Sequence, residues 1–197
     1  MRTETDLIAG GDGGIIAIFS DRGRAVKADD STNLLIERCA SSKAALSQLY
    51  TMFKDSVFAI AFSIIGDYHL SEDCVAETFV RLTQLKHFSA DKGNGKGVII
   101  TVARNTALEL RRRYRRDVHD FPVQSCGGTD TRIENSIYLN QLMSNLNDKQ
   151  RQIVIMKCCA ELTFKEIAKI IKLPESTVKS RYRKAMDILQ AKAGDDK

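Results

Sequence analysis

The stretch from Thr163 to Leu189, TFKEIAKIIKLPESTVKSRYRKAMDIL, constrains the fold of this chain more than any other. It contains two short amphipathic patterns separated by a turn. In the first, Phe164, Ile167, Ala168, Ile170 and Ile171 recur at helical spacing, and Thr163 with Glu166 forms a capping box at its start. The turn is Lys172-Leu173-Pro174-Glu175. Pro174 suits the opening of a new helix, because the N–H that it lacks would have no partner there. In the second helix Val178, Tyr182, Ala185, Ile188 and Leu189 share one face, and Ser176, Thr177, Lys179, Ser180, Arg181, Arg183 and Lys184 take the other. This is the pattern of a helix-turn-helix whose second helix enters the major groove of DNA.

Composition agrees with a polyanionic partner. The net charge is +5 and the pI is near 9.0, a basic balance that favours a polyanionic partner. No apolar run reaches the roughly 18–20 residues that a membrane span needs. The N-terminal MRTETDLIAGGDGGIIAIF has early acids and internal glycines, unlike a signal peptide. The five cysteines, Cys39, Cys74, Cys126, Cys158 and Cys159, form no zinc spacing. Their odd number and apolar surroundings are expected of reduced thiols in a cytoplasm. His69, His87 and His119 are isolated, so no metal, cofactor or catalytic role is assigned.

Residues 1–33 show no sustained period and are expected to be a flexible extension. From Leu34 to Asp67, Leu46, Leu49, Tyr50, Phe53, Val57, Phe58, Ala61, Ile64 and Ile65 mark one or two helices, with Gly66-Asp67 as the stop. Ser71 is expected to cap the next helix, with Glu72 and Asp73 in its first turn and its end near Lys86. That helix buries Val75, Phe79 and Leu82 and leaves Asp73, Glu77 and Arg81 on other faces. The segment from Phe88 to Gly97 has three glycines and no period, which also fits a plain connector. A helix is expected from Val98 to about Arg116, ending in five arginines around Tyr114. Cations suit a helix C-terminus, yet so many like charges side by side repel, and a phosphate partner explains them better. Residues 118–133 have proline, a glycine pair and no period, and read as a linker. A helix resumes over Glu134–Leu146, and Asn147 caps another with Gln150 reaching back. No strand pattern is present. The fold class is all-α: two small helical domains, 34–117 and 134–197, joined by a flexible linker, the C-terminal one containing the helix-turn-helix.

Together these segments resemble a bacterial RNA polymerase sigma factor of the extracytoplasmic-function type, over roughly Leu34 to Ala191. LSEDCVAETFVRL, Leu70 to Leu82, is similar to the family's polymerase-docking helix. ITVARNTALELRRR, Ile100 to Arg113, is similar to the helix that opens and reads the −10 element. LTFKEIAKIIKLPESTVKSRYRKA, Leu162 to Ala185, is similar to the −35 reader. The chain departs from the family pattern at Ala76, where glutamine is usual, at Thr83, where an aromatic is usual nearby, at Val98-Ile99, where a Trp-Leu pair is usual, and at Glu109, where aspartate is usual.

The resemblance implies that Glu72, Asp73 and Glu77 meet the clamp helices of core RNA polymerase. It also implies contact with the polymerase flap, promoter DNA as a partner, and an anti-sigma factor as a further one. It places capture of −10 bases on Phe88, Ser89, Asp91 and Asn94, with Arg104 and Asn105 at the melted edge and Arg111, Arg112 and Arg115 along phosphates. An internal salt bridge is the alternative for Arg104. At −35 the bases fall to Ser176, Thr177, Lys179, Ser180, Arg181, Arg183 and Lys184, where Arg181 or Arg183 has the paired donors that read guanine. Three other readings use the same residues: a stand-alone helix-turn-helix regulator, an enzyme with an appended DNA-binding domain, and a degenerate sigma-like adaptor. The first lacks a sensory or dimerisation pattern upstream, and the second lacks any catalytic constellation. The third rests on the substitutions at Ala76 and Val98.

Overall fold

Gly66 holds a left-handed backbone, φ 79°, and its N–H closes the last turn of the preceding helix on the Phe62 carbonyl at 2.9 Å. Only glycine takes that conformation without strain, so the chain turns there. The structure is a computed structural model that describes residues 30–85, 88–90, 93–117 and 143–195. Among the described residues the regular elements are seven helices, and they fall into two compact units, 30–117 and 143–195. The expected linker 118–133, Asp91 and most of Glu134–Leu146 lie outside the described residues.

The first unit holds α1 (Asp30–Arg38), α2 (Lys43–Ile65), α3 (Tyr68–Thr83) and α4 (Gly95–Asp117). Helices α2, α3 and α4 pack on one another, and α1 lies against α2 and α4. The core is Leu49, Phe53, Val57, Ile60, Ala61 and Ile64 of α2, Cys74, Val75, Phe79 and Leu82 of α3, and Ile99, Ile100, Ala103 and Ala107 of α4. These recur at three- and four-residue spacing, which aligns them on one face of each helix. Each large aliphatic chain so buried contributes about 1.5–3 kcal/mol.

Four boundaries differ from expectation. Helix α1 begins at Asp30, inside the segment expected to be extension, and Thr32 is 1% exposed. Helix α3 starts a turn before Ser71, because the Asp67 carboxylate accepts the Leu70 N–H at 2.8 Å and serves as its cap. Ser71 is instead buried inside the helix with its hydroxyl donating to the Asp67 carbonyl, and neither Glu72 nor Asp73 is in the first turn. The same helix ends at Thr83 rather than near Lys86. Helix α4 opens at Gly95, before Val98, because Asn94 accepts the Gly97 N–H at 2.8 Å with its side chain.

The second unit holds α5 (Asp148–Cys158), α6 (Phe164–Ile171) and α7 (Glu175–Asp195). Both expected capping boxes are present, at Asn147 with Gln150 and at Thr163 with Glu166. Helix α5 is buried nearly all round, through Gln150, Gln152, Ile153, Val154, Ile155, Met156 and Cys158. It therefore packs on both α6 and α7. Lys172 ends α6 in the left-handed region, φ 55°, and Pro174 offers its carbonyl to the Val178 N–H at 3.1 Å as α7 begins.

Candidate nucleic-acid interface

Helix α7 is anchored along one stripe. Val178, Tyr182, Ala185, Met186 and Leu189 are buried, and the Tyr182 ring meets Phe164 of α6 edge-on at 5.3 Å. The stripe fixes which side chains face outward. Ser176, Lys179, Ser180, Arg183 and Lys184 are exposed, whereas Thr177 and Arg181 are half-buried at its edge. Lys179 is bound to Glu175 one turn earlier at 2.7 Å, which offsets part of its charge. Arg181 has its Nη1 shielded from solvent with no hydrogen-bond partner among the described residues. The two arginines left open by the sequence are thus distinct: Arg183 projects outward with Ser176 and Ser180, and Arg181 leans on the domain.

Ala90, Gly93 and Gly95, ahead of and at the start of α4, are held by α1. Asn33 donates from Nδ2 to the carbonyls of Ala90, at 3.1 Å, and Gly93, at 3.0 Å, and its Oδ1 accepts the Gly95 N–H at 2.7 Å. The Phe88 ring lies so close over Gly93 that any Cβ there would collide with it. At Gly95 a Cβ would come within 2.7 Å of Asn33 Oδ1 and 2.8 Å of Ile36. These two glycines are required by close approach. Phe88 is half-buried and Ser89 is exposed. Asn94 is exposed, but its Oδ1 is engaged as the α4 cap.

Along α4, Asn105 and Arg112 are exposed, and Arg104 is half-buried, with burial holding its guanidinium below the ordinary value. Part of the arginine run has structural work. Arg111 donates to the Ile64 carbonyl at 3.1 Å, satisfying the end of α2, and Arg113 pairs with Glu109. Of Arg115 only the helical backbone is described. The repulsion expected within the run is therefore partly relieved inside the protein.

On α3, Glu72, Asp73, Ala76 and Val80 are exposed on the side away from the buried Cys74, Val75, Thr78 and Phe79. Glu77 is half-buried and receives Arg81 Nε at 2.8 Å, and Arg81 Nη1 continues to Glu109 at 2.8 Å. Hydrogen bonds donated to Glu77 and then to Glu109 raise the Arg81 guanidinium above its ordinary value. The Arg81 hydrogen bond holds the Glu109 carboxyl below the usual carboxylate range.

Residues 49–117 match the family model "Sigma-70 region 2", and residues 136–189 match "Sigma-70, region 4". The chain belongs to the sigma-70 family. It is similar to the ECF RNA polymerase sigma factor SigM of Bacillus subtilis, 28% identical over 156 residues that cover 74% of this chain and 93% of that one. Among solved structures it shares the fold of CnrH, solved with the cytosolic domain of CnrY, at TM-score 0.65 and 19% identity, covering 85% of this chain and 99% of that one. It also shares the fold of RpoE from Bartonella quintana, solved with the anti-sigma factor NepR, at TM-score 0.61 and 21% identity, over 74% of this chain and 94% of that one. As a sigma factor of the extracytoplasmic-function type, the chain acts in promoter-specific transcription initiation.

Sequence reasoning missed two features of this sigma factor. Asn33 fell inside the supposed extension, and its partners lie 57, 60 and 62 residues away, beyond any local pattern. Glu109 was noted only as a departure from aspartate, yet it joins α4 to α3 through Arg81. The four-residue spacings Glu77–Arg81 and Glu109–Arg113 were the available signal.

Proposed function

We propose that this sigma factor grips promoter DNA at two places and polymerase at two others, and contributes no catalytic group of its own. The observation that carries the reading is that one chain holds both an outward polar and cationic face on α7 and a segment before α4 whose Ala90, Gly93 and Gly95 are held by α1. On α7, Ser176, Lys179, Ser180, Arg183 and Lys184 face the −35 element. Arg183 takes the base-reading role through its paired donors, because Arg181 is partly withdrawn into the domain. Lys184 and Lys179 fall to phosphates, and amides at the start of α7 beside Ser176 and Thr177 suit another phosphate.

At the −10 element, Phe88 supplies an aromatic wall for an unstacked base, with Ser89 and Asn94 beside it for polar contacts. Asp91 belongs to the same loop in this reading. Arg104, Asn105 and Arg112 follow the melted strand, with Arg115 further along the helix. Arg111 is assigned to holding α2 rather than to DNA.

Glu72, Asp73 and the apolar neighbours Ala76 and Val80 form the surface of α3 offered to the polymerase clamp helices, with Glu77 at its border. The unit 143–195 meets the flap. An anti-sigma protein completes the set of partners in a cytoplasmic setting, and Leu34 and Tyr50 are exposed apolar side chains available to it. Run-off transcription with purified core polymerase tests the whole reading. Promoter-dependent transcripts without any added factor are expected. Core binding without initiation favours the adaptor instead, and DNA binding with no effect of core favours a stand-alone regulator.

A further inference from the structure

Asn33 carries no role in the readings above, yet its carboxamide makes three hydrogen bonds to the backbone of the segment assigned to the −10 strand. Both Nδ2 protons are used, one on the Ala90 carbonyl and one on that of Gly93, and Oδ1 takes the Gly95 N–H. This pattern fixes which end of the amide is donor and which acceptor. It also brackets Asn94, whose own side chain caps α4 through Gly97. Gly93 and Gly95 are the points where the backbone comes closest to Phe88 and to α1, so a side chain at either would collide.

A glycine-rich segment without regular hydrogen bonding otherwise samples many conformations, and ordering it on binding DNA would weaken the complex. We propose that Asn33 is a positioning residue: it holds the backbone of Ala90, Gly93 and Gly95 in the arrangement that receives a −10 base, and thereby sets base selectivity there. This inference rests on the assignment of that segment to the −10 strand. It concerns the backbone frame, whereas Phe88, Ser89 and Asn94 would touch the base. Asn33 itself meets only loop backbone in the described contacts, so it acts through the loop.

The test uses full-length protein bound to core polymerase and a single-stranded −10 oligonucleotide that the parent selects from a randomised pool. Dissociation constants are measured for that strand and for versions substituted one base at a time. Asn33→Ala is expected to bind the preferred strand about tenfold more weakly, the factor corresponding to about 1.4 kcal/mol, while binding the substituted strands as the parent does. The selectivity profile therefore flattens, with core affinity and far-UV circular dichroism unchanged. Asn33→Asp keeps the acceptor for Gly95 but sets a carboxylate oxygen against the Ala90 and Gly93 carbonyls, so it should weaken the preferred strand at least as much as alanine does; it carries the test alone if the alanine variant does not fold. A uniform loss on every strand, or none, in a folded variant overturns the inference while leaving the −10 assignment intact. A parent that distinguishes no base overturns that assignment, and the inference with it.

Discussion

Arg81 of α3 reaches across to α4 and donates from Nη1 to Glu109 Oε2 at 2.8 Å, while its Nε holds Glu77 at the same distance. Glu109 in turn receives Arg113. Acids and bases thus alternate in a chain of four from the border of the proposed polymerase surface to the arginine-rich end of α4. The chain joins, at their solvent side, the same two helices that meet at Cys74 and the Ala103 carbonyl. Arg81 is the middle of it and is bound on both sides, which makes it more constrained than an isolated surface ion pair.

Glu109→Gln removes the charge that both Arg81 and Arg113 share. The expected result is a small fall in thermal stability, shrinking in high salt because the pairs are solvent-exposed and screened. The pH dependence has a definite sign. The folded carboxyl is held below the usual carboxylate range by Arg81, so its stabilisation is fully present above the unfolded carboxylate value and disappears as pH falls through the lowered folded one. Parent and variant melting temperatures should therefore differ at neutral pH and converge in acid. A gap that widens toward low pH would contradict the assignment.

Arg183→Ala should weaken binding to the preferred −35 duplex by roughly 1–3 kcal/mol, the worth of a bidentate base contact, and should leave random duplex nearly unaffected. Arg181→Ala should act differently. Its Nη1 is shielded and without a hydrogen-bond partner among the described residues, so truncation removes half-buried packing and its effect should be similar on both DNAs. Fluorescence anisotropy on the two duplexes separates the cases. Sequence-dependent loss confined to Arg181→Ala would reverse the roles.

Local features of the fold were readable from sequence, and long-range ones were not. The boxes at Thr163–Glu166 and Asn147–Gln150 need only residues three apart, and both formed. At Ser71 the local rule misled, because Asp67, placed after the left-handed Gly66, is an equally good cap and comes first. Once the helix starts there, Ser71 can only bond backward to its own turn. The arginine run was only partly legible: counting charge could not show that Arg111 would find the Ile64 carbonyl 47 residues earlier. The polar face of α7 was legible as a set, but which arginine points outward depends on the position of the Val178–Tyr182 stripe against α6. Asn33 had no signal at all within its own window, since its three partners belong to a loop joined to it only by the folding of α2 and α3.

Charge reversal at Glu72 and Asp73 together is expected to reduce capture of core polymerase while leaving the fold and the −35 affinity unchanged. Both side chains are exposed on α3. Glu77 is a poorer choice, since its reversal would also place a cation against Arg81, which it now binds. A Glu72→Arg, Asp73→Arg protein that retains parental affinity for core enzyme would remove α3 from the proposed polymerase surface.

Cys74 offers a probe of the seam between α3 and α4. Its thiol is fully buried, lies 3.7 Å from the Ala103 carbonyl, and is pushed up to about 11 by that burial. At pH 8 only about one part in a thousand of the buried thiol would be thiolate, and the thiolate is the reactive form. Cys159 is only half-buried in the other unit. Among the cysteines of the described residues, a maleimide added to native protein should therefore modify Cys159 first, and Cys74 only when α3 separates from α4. If the Arg81–Glu109 pair helps close that seam, Glu109→Gln should accelerate labelling of Cys74 and leave Cys159 unchanged. The acceleration should be lost in high salt, where the parent pair is itself screened. Equal rates for Cys74 in parent and variant at low salt would show that buried side chains alone hold the two helices together.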